Sequence, residues 1–86
     1  MRDELLFRRS LLIQLEAASP ASLPLPTLSA GAKLAGFEFE EGDIAAALEY
    51  LRGKNLVEIS RSKISAAHIR AKLSPDGRDY LESGDF

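Results

Sequence analysis

Leu5, Leu12 and Leu15 recur at helical spacing near the start of the chain, and Leu6, Phe7, Leu11 and Ile13 widen the same apolar surface. Arg8, Arg9 and Gln14 supply a polar side, so the pattern predicts a helix from about Asp3 to Ala18. A stripe this wide exceeds what one small core uses: either the helix is central, or part of it packs against another subunit. Pro20, Pro24 and Pro26 remove amide donors and disfavour helix at the residues before them, which predicts a linker from Ser19 to Pro26. A short helix is expected from about Thr27 to Ala35 with Leu28, Ala32 and Ala35 inward. Gly36 suits the left-handed position that closes a helix, and Phe37 can then pack back on the last turn. The third helix starts near Glu40 or Glu41, where Phe39 stands ready to meet Ile44 as a hydrophobic staple. Glu41 and Asp43 fall in its first turn, which favours the helix dipole. Ile44, Leu48 and Leu51 form its buried stripe, Ala47 adds a small contact, and Asn55 is a left-handed stop.

Beyond Asn55 the period changes. Leu56 to Ser60 reads as a strand, and Ile69 to Leu73 reads as another. In the second, Ile69, Ala71 and Leu73 alternate with Arg70 and Lys72, leaving one apolar and one cationic face. Arg61 to Ala67 forms the hairpin tip, and no Asn-Gly or Asp-Gly pair fixes a tight turn there. Ser74-Pro75-Asp76 opens a last helix with a capping serine, a proline in the first position and an acid. Tyr80 and Leu81 give that helix its apolar side, and Gly84 ends it. The fold class these elements predict is mainly α with a small antiparallel β-hairpin, in the order α-α-α-β-β-α, as a single domain.

Composition narrows the function classes. An 86-residue chain with 45% hydrophobic and 28% charged residues is one globular domain, and at this size its stability is marginal unless a second copy covers more of it. The absence of cysteine excludes disulfides, thiolate metal sites and a cysteine nucleophile, and His68 alone makes no histidine metal cluster. Nothing approaches the roughly 20 apolar residues of a membrane span, and the start of the chain does not read as a secretory signal. The cytoplasm is therefore the expected location, with no membrane partner.

The net charge of −2 hides a division. Over residues 37–58, Glu38, Glu40, Glu41, Asp43, Glu49 and Glu58 face only Arg52 and Lys54; over 59–78, Arg61, Lys63, Arg70, Lys72 and Arg78 face only Asp76. The middle of the chain is acidic and the segment after it basic.

Two segments carry a family resemblance. Residues 44–57, Ile-Ala-Ala-Ala-Leu-Glu-Tyr-Leu-Arg-Gly-Lys-Asn-Leu-Val, resemble the apolar stripe and turn into the first wing strand seen in winged helix-turn-helix regulators of the MarR, PadR and ArsR kinds, with Asn55 where those have glycine. Leu73-Ser74-Pro75-Asp76-Gly77-Arg78-Asp79-Tyr80-Leu81 is similar to their "Leu-Thr-Pro-x-Gly" lead-in to a final helix. The resemblance implies a helix-turn-helix over about 27–54, a recognition helix over 41–53, a wing over about 56–73 with its tip at 61–67, and a C-terminal helix over about 75–83. It also implies binding to double-stranded DNA as a homodimer built from the first and last helices. The metal ligands of the ArsR kind have no counterpart here, and no cofactor is implied.

The candidate sites divide between readings. On the third helix Glu41, Ala45, Ala46, Glu49 and Arg52 are outward; Ala45, Glu49 and Arg52 could face base edges, although acids repel phosphates at close range. The same acids also suit a plain solvated helix face, or a surface for a basic protein partner. Arg61, Lys63, Arg70 and Lys72 could form a cationic hairpin for phosphates, or simply guard an edge against aggregation. Arg8 and Arg9 could add phosphate contacts or serve only as a polar face. Leu6, Phe7, Leu11, Tyr80 and Phe86 are more apolar surface than one small core hides, and they are the candidate dimer interface. His68 reads as a strand-face residue, and the serines at 60, 62 and 65 as turn residues. No constellation supports catalysis, so the chain is expected not to be an enzyme; a protein-interaction module on the same scaffold is the alternative function.

Overall fold

A computed structural model of the chain describes residues 4–61 and 69–83. Its elements are α1 (Glu4–Ala18), β1 (Leu23–Pro24), α2 (Leu25–Leu34), α3 (Glu41–Gly53), β2 (Val57–Arg61), β3 (Ile69–Leu73) and α4 (Pro75–Ser83). The strands form an antiparallel sheet in the order β1-β3-β2. Four helices and a three-stranded antiparallel sheet in this order fit a winged helix fold.

α1 is the central element, packing against α2, α3, β3 and α4. Its buried residues are Phe7, Leu11, Leu12 and Leu15, while Leu5, Leu6 and Ile13 stay about half exposed. The expectation that Leu5 is part of the inward stripe and that Phe7 and Leu11 lie at a dimer surface is therefore corrected. Leu11 is 0% exposed, and Phe7 sits between Phe37 (5.6 Å between ring centres, edge-on) and Phe39 (5.5 Å). The two rings come from the α2–α3 connection, and T-shaped and tilted contacts of this kind add stabilisation beyond area burial. Phe7 and Leu11, which read along the sequence as surplus apolar surface, fill the chain's own core.

The proline-rich segment holds more structure than a linker. Leu23 and Pro24 pair with Ala71 and Arg70, adding a third strand at the edge, where a missing amide costs no ladder bond. α2 then begins at Leu25, two residues before the expected Thr27. Pro24 caps it and Pro26 lies in its first turn, where helix amides have no partner anyway. Leu28 and Ala32 are buried as expected, but Ala35 is the exposed C-cap.

α2 and α3 end in the same motif. Gly36 has φ 91°, with its amide donating to Lys33 O and that of Phe37 to Ala32 O. Asn55 has φ 64°, with its amide donating to Arg52 O and that of Leu56 to Leu51 O. These are paired 5→2 and 6→1 bonds around a left-handed residue. At the start of α3 the Glu40 amide donates to Asp43 Oδ2 at 2.7 Å, which satisfies a donor at the helix entrance.

α4 begins on the end of α3. The Gly77 amide donates to Ser74 Oγ (2.9 Å), the Ser74 hydroxyl donates to Asn55 O (2.7 Å), and the Asn55 side-chain amide donates to Asp76 Oδ2 (2.6 Å). Gly77 is buried against the Leu56 carbonyl, and a Cβ there would collide with it. The Asn55 turn and the Ser74-Pro75-Asp76-Gly77 start are thus one interlocked joint.

Candidate nucleic-acid interface

The outward face of α3 follows from its buried one. Ile44, Ala47, Leu48 and Leu51 are in the core, so Gly42, Ala46, Arg52 and Gly53 are exposed and Ala45 and Glu49 half-buried. The Glu41 side chain lies outside the description. Between Asp43, whose carboxylate takes the Glu40 amide, and Glu49, the outward residues Ala45 and Ala46 offer only methyl groups.

Glu49 is the hinge point of the site. Its Oε2 accepts from Arg52 Nε at 3.0 Å and lies 2.9 Å from the second Arg52 nitrogen, while its Oε1 accepts from an Arg61 nitrogen at 2.7 Å. Arg52 is one turn further along α3; Arg61 is the last residue of β2. One carboxylate thus ties α3 to the end of β2 and holds two guanidinium groups, an excess of one positive charge. All three side chains are 42–57% exposed, so the pairs are screened and rearrange at small cost.

The sheet register divides the expected cationic hairpin between two faces. Val57, Ile59 and Arg61 share the side of β2 that pairs across to Leu73, Ala71 and Ile69, the core side. Arg70 and Lys72 point to the other side, opposite Ser60 and Glu58. Arg70 is further engaged by Ser22, donating to its hydroxyl at 2.8 Å and its carbonyl at 3.0 Å. A single patch of Arg61, Arg70 and Lys72 is therefore corrected: Arg61 joins Arg52 beside α3, and Arg70 and Lys72 form a separate outer face. Alternation within β2 carried that signal, since Arg61 keeps the parity of Val57 and Ile59. Lys63 and His68 lie outside the described residues.

A second cationic group forms around Arg8, which the sequence offers as a phosphate contact or a polar face, and it includes Tyr50 and Lys54, which sequence reasoning missed. Arg8 on α1 stacks its guanidinium 3.9 Å from the centre of the Tyr50 ring, and Lys54 Nζ lies 5.7 Å from it. Tyr50 belongs to α3 and Lys54 caps it. The signal was Tyr50 itself, an exposed aromatic between cationic residues of two helices.

Of the candidate interface residues, Leu6 is exposed, Tyr80 is half-buried against the core, and Phe86 lies outside the described residues. No helix among the described residues is long and apolar enough to cross a membrane, and none of their His, Asp or Glu side chains form a group of three able to hold a metal.

No family model and no curated protein matches the chain. Among solved structures it is similar to BpsR of Bordetella bronchiseptica, whose DNA binding is regulated by 6-hydroxynicotinic acid, with a TM-score of 0.74 at 17% identity. The match covers 90% of this chain and 53% of the other, so the chain spans about half the length of that protein. At this identity the likeness is one of fold alone.

Proposed function

We propose that the chain is a DNA-binding domain of a winged-helix transcription regulator, and that it acts as a homodimer. The observation that carries the reading is the Arg52–Glu49–Arg61 cluster. It places two guanidinium groups where the recognition helix meets the wing, and the one acid at the middle of the helix's outer face is already neutralised. The acidic character that argues against DNA along the sequence is thereby reduced at the surface that approaches a groove. Phosphates replace Glu49 as partners for the arginines, with release of counterions from the duplex. Base readout is left to Arg52 and to methyl contacts from Ala45, so phosphate contacts supply most of the affinity.

Dimerisation is proposed on the outer face of α1. Leu6 and Ile13, seven residues apart, are 47% and 45% exposed, and this apolar pair lies away from the core. The test of the reading is anisotropy of a random-sequence duplex titrated at low and moderate salt: binding that weakens steeply with salt supports it, and no binding at low salt overturns it.

A second reading, a protein-interaction module, is favoured by one observation: Leu34 at the end of α2 is 90% exposed, with Glu38 and Glu40 exposed beyond it. It calls for a partner with basic and apolar groups side by side, and for no DNA affinity.

A further inference from the structure

We infer that Arg8 and Lys54 form a second row of phosphate contacts, gripping the DNA strand opposite to the one held by Arg52 and Arg61. The inference rests on the DNA-binding reading above and adds to it a site on α1 and the end of α3.

Successive residues of a helix are offset by about 100°. On that basis Arg52 and Tyr50 lie about 160° apart around α3, with Gly42, Ala45, Ala46, Glu49 and Gly53 between them. One flank carries Arg52 and, through Glu49, the wing's Arg61. The other carries Tyr50 and Lys54, with Arg8 brought alongside by α1. The helix thus carries cations on both slopes of a crest on which Glu49 is the one charged side chain among the described residues. A B-DNA major groove is about 12 Å wide, wide enough for one helix, with a sugar–phosphate wall on each side.

The chemistry of the second slope suits a phosphate. Among the described residues neither Arg8 nor Lys54 is paired with a carboxylate. They border a cavity of about 230 Å³ that Arg9, Tyr50 and Tyr80 also line and to which no acid among the described residues contributes. The ring beneath Arg8 fixes its guanidinium without neutralising it, so little side-chain freedom remains to be lost on binding. On the first slope Glu49 must be displaced; on the second, among the described residues, no carboxylate is paired with either cation.

The test is the salt dependence of binding to a random-sequence duplex for the full chain, for R8A/K54A, for the charge-keeping pair R8K/K54R, and for R52A/R61A. The expected result is a slope of log K against log salt that is shallower by up to about two units in R8A/K54A, roughly 0.9 for each lost phosphate, and that recovers in R8K/K54R. A merely structural role of the Arg8–Tyr50 stack would lower the melting temperature without this pattern. A slope lowered by R52A/R61A but unchanged by R8A/K54A overturns the second row and leaves the DNA-binding reading standing. The same unchanged slope together with inorganic phosphate perturbing the Tyr50 resonances assigns the cavity to a free anion instead. Failure of the unaltered chain to bind any duplex overturns the reading on which the inference rests.

Discussion

Arg61, the last residue of β2, donates to the Glu49 carboxylate on α3 across 2.7 Å. With Arg52 on the same carboxylate, the side chains that would meet phosphate are held by an internal anion in the free protein. Replacing Glu49 with glutamine is expected to leave stability within about 1 kcal/mol of the original, because exposed pairs contribute little. It should tighten binding to random-sequence DNA and steepen the salt slope by up to about one unit. In an R52A/R61A background the gain should vanish. Weaker binding by E49Q would show that the carboxylate presents the arginines and does not withhold them.

The Asn55–Ser74–Gly77 joint gives a prediction on stability. An alanine in an open helix is favoured over glycine by about 1 kcal/mol. At position 77 the added Cβ meets the Leu56 carbonyl, so G77A should instead destabilise by about 1–3 kcal/mol in denaturant unfolding. S74A should cost about 1 kcal/mol through the lost cap. A more stable G77A would contradict the joint as described.

Asn55 separates backbone from side-chain effects. N55A forces a non-glycine residue without a polar side chain into φ 64°, at a cost of about 1–2 kcal/mol. N55G relieves the backbone and loses only the bond to Asp76, so it should unfold at higher denaturant than N55A.

The division of α1 into a core face and an outer face is tested by paired substitutions. L11A should cost about 2–5 kcal/mol, as truncation of a fully buried leucine does. L6S/I13S should leave a stable fold, and light scattering should then report the 9.4 kDa monomer. The unaltered chain should scatter as a dimer at micromolar concentrations. A monomer in both cases would refute the homodimer.

The parts legible in the sequence are those fixed by local chemistry. Gly36, Asn55 and Ser74 act where they were expected because a left-handed turn or a side-chain cap depends on two or three neighbouring residues. The stripe of Ile44, Leu48 and Leu51 was legible because a helix with one apolar face has one way to bury it. Less legible was α1, where seven apolar residues cover most of the helix and only Phe37 and Phe39, packed on Phe7, decide which of them are inside. β1 was hidden because two residues, one of them proline, leave no period to read. The candidate site was legible by residue type and not by grouping. Arg61 and Arg70 both look like wing cations, but strand parity sends one to Glu49 and the other to Ser22.

The central claim is that this winged helix holds DNA through arginines at the junction of recognition helix and wing. Titrating a random-sequence duplex with the unaltered chain and with R52A/R61A, at several salt concentrations, tests it most directly. The account predicts binding that weakens steeply with salt and a slope shallower by up to about two units in the variant. Binding that is absent at low salt, or a slope indifferent to both arginines, would contradict it.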